Sequence, residues 1–340
     1  MSTPSTRRSN EQALAHPRGA LRRLLHARGF VPGFGVAAWN VTFRTRDGIR
    51  LAASYLPGPA QPEGPAVLLL HGFGGHRTKP AYALLAERLS RVAAVLTVDL
   101  RGHGESGGWS TLGLAETLDV AASTAWLRRE GHPWVGLVGV SMGATAALRT
   151  AGTAPPDTYG AVCSISGVSR WGLRDTPAMQ HLTRAVSLAA YRRAYRLVLG
   201  VRIADRDWPD GSPGADRRHW PLQPVDAVPG IAPTPLLIVH GTDDHFFGPQ
   251  QAEALHAGAG EPRELWLEPA GFGHAEDGFT PLFADRLAAA VATVHATGRW
   301  PAQDRSGPLR SSSSSSWSNV AGSSSSRLPS RVRQNAAASL

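Results

Sequence analysis

The sequence predicts an α/β protein with a mostly parallel central sheet and helices on both of its faces. Short apolar runs of strand length alternate with helix-length segments along most of the chain. Most of these strands are continuously apolar, as expected for strands that are buried on both sides. Polar motifs follow several of the strands directly. Because sites in parallel sheets form at the carboxyl ends of strands, these motifs also indicate a site.

The predicted elements begin with a hairpin. Residues 41–46 and 49–56 alternate apolar and polar side chains around Asp47-Gly48, a strong hairpin signal. Strands and helices then alternate. Strands are predicted over 66–70, 93–98, 135–140, 159–165, 235–239 and 264–267, and helices over 81–90, 114–129, 250–257, 282–297 and from 142 onward.

The alternation lapses from Gly167 to about Pro229, where one helical segment over 177–199 precedes a run rich in Pro, Trp and Asp. We interpret residues 168–229 as a small helical cap inserted after the sixth strand of a domain that spans 39–298. Residues 1–38 are predicted to be a basic, partly disordered extension that includes a short helix over 20–28. Residues 299–340 form a Ser/Arg-rich tail of low complexity that is predicted to be disordered.

Ser141 lies where a strand must turn into a helix within about two residues. The apolar run 135–140 precedes it and the Ala-rich segment from Met142 follows it. Gly139 and Gly143 occupy positions where a larger side chain would collide with the tight bend. This is the G-x-S-x-G pattern of a nucleophile elbow, which exposes the serine hydroxyl above the sheet and directs the first helix amides toward the same point.

A serine hydroxyl needs a general base, and the base needs an orienting carboxylate. The strand over 235–239 ends in His240-Gly-Thr-Asp-Asp-His, and the strand over 264–267 is followed by Gly271-Phe-Gly-His274. The candidate groups therefore occur in the chain order Ser, Asp, His. Asp243 and Asp244 are both available as the acid, and His245 is a second histidine beside them.

Five motifs in this order resemble the α/β-hydrolase superfamily between about Val41 and Ala296. They are His71-Gly-Phe-Gly-Gly, Asp99-x-Arg-Gly-His-Gly-x-Ser, Gly139-x-Ser-x-Gly, His240-Gly-x-x-Asp and Gly273-His274. The chain looks most like bacterial single-domain hydrolases of the serine aminopeptidase, monoacylglycerol lipase and Bem46-like kind. The resemblance implies the α/β-hydrolase fold.

The resemblance also implies roles for particular residues. Ser141 would be the nucleophile, Asp244 the acid and His274 the base, with the backbone amides of Phe73 and Met142 as oxyanion donors. His71 is expected to brace the oxyanion loop. The Asp99 motif is expected to form a structural turn. Glu276 and Asp277 are expected to be solvated residues at a helix start.

The implied activity is hydrolysis of an acyl bond, most simply a carboxylic ester of a small or medium apolar acyl group. Acyltransferase, aminopeptidase and cofactor-free haloperoxidase activities use the same three residues and remain alternatives, as does a non-catalytic binding protein of this fold. Apolar and aromatic cap residues suggest a modest apolar acyl pocket: Trp171, Leu173, Met179, Leu182, Tyr191, Tyr195, Trp208 and Trp220. The cap arginines either ring its entrance or face solvent: Arg170, Arg174, Arg192, Arg193 and Arg196.

Composition narrows the classes of partner. The net charge of +9 belongs to the chain ends, since residues 1–38 and 299–340 each hold six arginines and one acidic residue, while the body holds 23 basic and 24 acidic residues. A small-molecule acyl substrate is therefore expected and a specific nucleic-acid partner is not.

The single cysteine, Cys163, excludes an internal disulfide and is interpreted as a core residue. No metal or cofactor is expected. No secretory signal or transmembrane segment is evident, so a cytoplasmic location is expected. The sequence leaves the oligomeric state open.

Overall fold

The structure, a computed structural model, describes residues 33–59, 63–172, 176–205 and 221–303. The predicted helix over 20–28, nearly all of the two terminal segments and part of the cap, including Leu173, Arg174, Trp208 and Trp220, lie outside the described residues. Within the described part, no helix is both long and apolar enough to cross a lipid bilayer.

Eight strands form one sheet in the order β1-β2-β4-β3-β5-β6-β7-β8. The strands are β1 (Trp39–Arg44), β2 (Arg50–Leu56), β3 (Ala66–Leu70), β4 (Ala94–Asp99), β5 (Val135–Val140), β6 (Ala161–Ile165), β7 (Leu236–Gly241) and β8 (Arg263–Glu268). The strands from β3 to β8 pair in parallel, while β1 and β2 form an antiparallel edge. The predicted fold class, with a mostly parallel sheet, is confirmed.

Eight helices connect and cover these strands in the described part of the chain. They are α1 (Pro80–Leu89), α2 (Thr117–Arg129), α3 (Met142–Thr153), α4 (Pro177–Ser187), α5 (Ala189–Val198), the single turn α6 (Pro224–Ala227), α7 (Gln250–Gly258) and α8 (Pro281–Thr297). Side chains of α1 and α8 pack with one face of the sheet, and those of α2, α3 and α7 pack with the other. Two apolar layers thus enclose the sheet, which explains why strands such as β3 are buried along their whole length.

The N-terminal hairpin forms as predicted around Asp47-Gly48, but β1 ends at Arg44 and the turn takes the residues up to Ile49. The Thr45 amide donates to the Ile49 carbonyl, and Gly48 has a φ of 82°. The observed hairpin loop is therefore longer than the two-residue turn that the sequence pattern favours.

The cap begins after β6, as predicted, but its helical segment is two helices. The backbone of Leu188 is extended, with φ −98° and ψ 124°, and separates α4 from α5. Val186 is buried with Val201 and Ile203 at this break. The break contains no Pro or Gly, so helix propensity alone predicts one continuous helix.

Candidate active site

Ser141 occupies the sharp turn between β5 and α3. Its backbone has φ 50° and ψ −110°, an unfavourable conformation for a residue with a side chain, and its amide donates to the Ile165 carbonyl at 2.8 Å. A Cβ on Gly139 would lie 2.5 Å from the Gly143 carbonyl oxygen, and one on Gly143 would lie 2.8 Å from that of His71. Both glycines are thus needed for the close approach of β3, β5 and α3, as the sequence predicts.

His274 lies in the loop after β8 and contacts both other candidate residues. Its Nε2 is 3.1 Å from Ser141 Oγ, and its Nδ1 is 2.7 Å from Asp244 Oδ2. We call the loop that carries His274 the base loop. Its next residue, Ala275, is fixed by a hydrogen bond, because the Ala275 amide donates to Ser166 Oγ at 2.9 Å. The geometry matches a base tautomer with the proton on Nδ1 and a free lone pair on Nε2 toward the serine.

Asp244 and Asp243 are adjacent in sequence but differ in burial and in their hydrogen-bond partners. Asp244 is buried, and its Oδ1 accepts hydrogen bonds from the amides of Phe246 and Phe247 at 2.8 and 3.0 Å while Oδ2 faces His274. Asp243 is exposed and accepts from the amides of Gly271 and Gly273 at 2.6 and 2.9 Å. These hydrogen bonds lower the pKa of Asp243. The structure therefore brings Asp244, and not Asp243, to the histidine.

Asp243 does have a structural role that the sequence does not reveal. Its two hydrogen bonds join the loop that carries Asp244 to the loop that carries His274. The partner amides belong to glycines 28 and 30 residues away, so no local sequence pattern points to this bridge.

The two residues whose amides are the candidate oxyanion donors line the same cavity as Ser141. Phe73 follows β3, and Met142 is the first residue of α3, where helix geometry leaves the amides without intrahelical acceptors. His71 braces the loop before Phe73, with Nδ1 2.8 Å from the Gly72 carbonyl and Nε2 accepting from the Leu100 amide at 3.0 Å. Burial lowers the pKa of His71, which matches a neutral ring in this position.

His103 braces the same loop from the other side. Its Nε2 accepts from the Gly74 amide at 3.2 Å, and its Nδ1 is 3.0 Å from the Arg101 carbonyl. Burial, together with the nearby His71, lowers the pKa of His103 to about 3. A neutral ring is required, because the protonated form would have no lone pair to accept the Gly74 amide.

A hydrogen-bonded bridge links the oxyanion loop to the base loop. The Gly72 amide donates to Tyr82 Oη at 2.8 Å, and Tyr82 Oη donates to Glu276 Oε2 at 2.5 Å. Lys79 forms an ion pair with the same carboxylate. Burial and the Glu276 charge raise the pKa of Tyr82 well above its usual value. Burial by itself would raise the pKa of Glu276, but the Lys79 charge and these hydrogen bonds hold it below the usual value.

The prediction that Glu276 is solvated is therefore wrong, whereas that for Asp277 holds. The 3-10 turn Ala275–Gly278 directs Glu276 back toward the start of α1, where Tyr82 and Lys79 lie. Asp277 is exposed and accepts from the His274 amide at 3.3 Å at the start of that turn. His245, the second histidine beside the aspartates, is exposed, with its ring centroid 6.0 Å from that of His274.

The Asp99 motif forms a buried structural network, as predicted. Asp99 pairs with the guanidinium group of Arg77, whose backbone amide also donates to Asp99 Oδ1 at 2.8 Å. Burial alone would raise the pKa of Asp99, but the adjacent Arg77 charge holds it far below the usual value. Arg101 donates to Asp119 and Asp47. Arg77 lies just before α1 and belongs to none of the sequence motifs, so its place in this network was not predicted.

A cavity of about 320 Å³ opens beside Ser141. Its wall is mainly apolar and includes Phe73, Leu112, Leu114, Met142, Val168, Trp171, Met179, Leu182, Val186 and Phe247. Of the cap residues expected at a pocket, Trp171, Met179 and Leu182 line it, whereas Tyr191 and Tyr195 do not. Arg170 is its single charged lining residue in the described part of the chain, and it pairs with Asp226. Arg192, Arg193 and Arg196 belong to another surface.

The buried Cys163 thiol lies in the core, and burial raises its pKa. Over the described residues, no group of three or more His, Cys, Asp and Glu side chains is arranged to hold a metal ion.

Comparison with known proteins agrees with this architecture. Residues 65–187 match the family model described as the alpha/beta hydrolase fold. The uncharacterized protein YfhR of Escherichia coli O157:H7 is 27% identical over 242 residues, which cover 69% of this chain and 73% of that protein. Protein phosphatase methylesterase 1 of Bos taurus is 34% identical over 126 residues, or 36% of this chain and 33% of the methylesterase.

Solved structures show the same fold. An esterase from Pyrococcus furiosus superposes with a TM-score of 0.56 at 21% identity, covering 75% of this chain and 88% of the esterase. The esterase domain of a Rhodothermus marinus protein gives a TM-score of 0.52 at 22% identity, covering 76% of this chain and 98% of that domain. At these identities the likeness establishes the fold.

Proposed function

Because the chain belongs to the α/β-hydrolase superfamily, we propose that it is a serine hydrolase that cleaves a carboxylic ester with a small or medium apolar acyl group. The observation that carries this proposal is the pair of contacts made by His274, 3.1 Å to Ser141 Oγ and 2.7 Å to Asp244 Oδ2, beside an apolar cavity. This arrangement supports nucleophilic catalysis because the serine has a base within reach and the base has an orienting carboxylate.

In the proposed mechanism, His274 Nε2 takes the hydroxyl proton as Ser141 Oγ attacks the ester carbonyl carbon. The amides of Phe73 and Met142 donate to the oxygen that becomes negative, with help from the N-terminal end of α3. Asp244 stabilises the imidazolium ion. The proton then passes from His274 to the leaving alcohol as the carbon–oxygen bond breaks, leaving an acyl-enzyme. Water, deprotonated by the same histidine, releases the acid and restores Ser141.

The cavity supports an apolar acyl group. A volume of about 320 Å³ lies at the small end of the range for ligand sites. An aminopeptidase would need an anionic group to bind the substrate ammonium ion. Among the described residues that line the cavity there is no carboxylate, and the single charge is the cation Arg170. This observation favours an ester over a peptide with a free amino terminus.

The decisive test is Ser141→Ala assayed on p-nitrophenyl esters of increasing chain length. We expect the wild type to prefer short or medium chains and the variant to lose turnover while keeping its thermal unfolding midpoint. Fluorophosphonate labelling followed by peptide mapping should modify Ser141 in the wild type. Esterase activity retained by Ser141→Ala, or label on another serine, would show that the proposal is wrong.

A further inference from the structure

Exposed apolar side chains are concentrated on one part of the cap. Among the described residues, nine large apolar side chains are exposed, and five of them lie between Leu188 and Leu199. They are Leu188, Tyr191, Leu197, Val198 and Leu199, and we call them, with the arginines of α5, the cap face. Leu197 has 65% of its surface exposed, and α5 has no buried residue in its whole length. Exposed apolar side chains concentrated in one segment of 12 residues indicate an interaction surface.

The charged side chains of α5 itself all have one sign. Helix α5 carries three arginines, and neither α4 nor α5 contains an acidic residue. Arg192 pairs with Asp205, and the Arg196 guanidinium lies over the ring of the exposed Trp109, 5.5 Å from its centroid. In the described part of the chain Arg193 has no ion-pair partner. The face is therefore positively charged as well as apolar.

The arginines and the exposed apolar side chains lie on different sides of α5. At 100° per residue, Arg192, Arg193 and Arg196 fall on one side of α5, and Tyr191, Leu197 and Val198 fall on the other. On α5 only Arg192 and Tyr195 are half-buried, Arg192 through its pair with Asp205 of the cap and Tyr195 against the ring of Phe73. Both sides are thus left open to an external partner. Apolar and arginine-rich arcs with a neighbouring tryptophan are the features of a helix that lies in a membrane interface.

We propose that the cap face docks on an anionic lipid surface. Arg193 and Arg196 would lie among lipid headgroups, while Leu197, Val198 and Tyr191 enter the boundary of the acyl chains. The combination of arginines without a carboxylate on α4 or α5 and exposed apolar side chains beside them matches a surface of anionic headgroups above acyl chains. The arginine-rich segments 1–38 and 299–340 add attraction for the same kind of surface.

The cap face adjoins the cavity beside Ser141. Thr183, Val186 and Ser187 of α4 line that cavity, and the next residue, Leu188, begins the cap face. Docking would therefore place the cavity wall against acyl chains in the lipid. This last step rests on the proposed function, whereas docking itself does not.

The test measures binding of the full chain to vesicles of phosphatidylcholine with and without phosphatidylserine by co-sedimentation. We expect binding to the mixed vesicles and much less to phosphatidylcholine alone. Arg193→Glu should weaken binding to mixed vesicles at least fivefold, because about this factor is lost for each cation near an anionic surface. Leu197→Ser should weaken it about fivefold through lost apolar burial.

Two control variants carry the same substitutions at positions outside the cap face. Arg129→Glu makes the same charge change on the exposed end of α2, and Leu282→Ser makes the same apolar change on α8, where Leu282 is 73% exposed. Both should bind vesicles like the wild type. Equal losses in Arg193→Glu and Arg129→Glu would overturn the proposal, because binding would then follow net charge or the terminal segments.

Absence of vesicle binding would also overturn the proposal. So would a dimer in sedimentation analysis that Leu197→Ser converts to monomer without any effect on vesicles, because a second copy would then cover the cap face. All four variants should hydrolyse a soluble p-nitrophenyl ester like the wild type. If the wild type binds vesicles but has no Ser141-dependent esterase activity, the proposed function fails and the docking surface stands.

Discussion

At the scale of single residues, neighbours of the same type have different tasks because their hydrogen bonds differ. Asp243 and Asp244 are adjacent in sequence, yet one accepts amides of the base loop and the other faces His274. Ser141 holds an unfavourable φ of 50°, and a Cβ on either flanking glycine, Gly139 or Gly143, would collide with neighbouring backbone. Residue type alone therefore identifies candidates, and the contacts distinguish them.

The two aspartates give a direct comparison. Asp244→Asn should lower kcat by about four orders of magnitude, because an amide in place of the carboxylate favours the wrong tautomer of His274. Asp243→Asn should lower kcat far less, since its amide oxygen can still accept one of the two glycine amides. Esterase kinetics on a p-nitrophenyl ester measure both. A larger loss in Asp243→Asn would reassign the acid.

His103 predicts a dependence of stability on pH. Its pKa is about 3 in the folded protein and near 6.5 when unfolded, so the unfolded chain binds the proton first as the pH falls. The free energy of unfolding should fall by about 1.4 kcal/mol for each pH unit below 6.5 on account of this residue. Urea unfolding of the wild type and His103→Gln between neutral pH and pH 5 measures the slope.

The variant His103→Gln should show a flatter dependence than the wild type. Replacement of an exposed histidine by His181→Gln is the control. Identical slopes in the wild type and His103→Gln would show that the buried ring does not exclude the proton.

At the scale of elements, the site is assembled from loops that meet at the carboxyl ends of β3, β5, β7 and β8. The Tyr82–Glu276 bridge joins the first of these loops to the last through the start of α1. Its effect is to fix the distance between the oxyanion loop and the base loop. Misplacement of either loop is expected to act on the chemical step.

Tyr82→Phe removes the bridge without changing the aromatic packing against Phe279. We expect kcat to fall about tenfold with KM little changed, because the Gly72 amide and Glu276 lose a buried partner next to the reacting groups. Tyr159→Phe, a change to a buried tyrosine outside the site, is the matched control and should leave kcat unaltered. Equal kinetics for Tyr82→Phe and the wild type would limit the bridge to a structural role.

These elements also show what the sequence can predict. Ser141, Asp244 and His274 each follow a strand in a recognisable motif, so their convergence at one edge was predictable, while their catalytic roles stay predictions. The hydrogen-bonded bridges made by Asp243 and Glu276 were not predictable, because their partners lie on other elements. The direction of the Glu276 side chain also depends on the turn Ala275–Gly278. The break at Leu188 was missed because no Pro or Gly marks it, although the adjacent Val186 packs with Val201 and Ile203 from a distant part of the cap.

At the scale of the whole molecule, a buried ion pair joins the sheet to the loops above it. Arg77 is 2% exposed and contacts Asp99 at the end of β4, Glu105 at 2.8 Å and Ser54 of β2 at 3.1 Å. Desolvation of these charges is compensated only while both partners are present. The contacts of Arg77 therefore hold β2, the end of β4 and the loop that carries Glu105 in one arrangement.

Arg77→Met should cost about 3–5 kcal/mol of unfolding free energy, because Asp99 would remain buried without its counter-ion. Urea denaturation measures this loss. Arg129→Met on the surface should change stability by less than about 0.5 kcal/mol. A double variant Arg77→Met/Asp99→Asn should lose less than the sum of the two single changes. Additive losses would contradict the coupling of the two groups.

The entry and exit of the cap lie on neighbouring parallel strands. The chain leaves β6 at Ile165, at the carboxyl edge of the sheet, and re-enters at Leu236 of β7, which pairs in register with Val162 near the start of β6. Residues 224–235 lead back to the sheet, with Val228 and Ile231 in its core layer, so the part of the insert before Pro224 is the part that can diverge in length and composition without disturbing the framework beneath. Grafting a different insert between these strands is thus the simplest route to a new substrate range, with Ser141, Asp244 and His274 left in place.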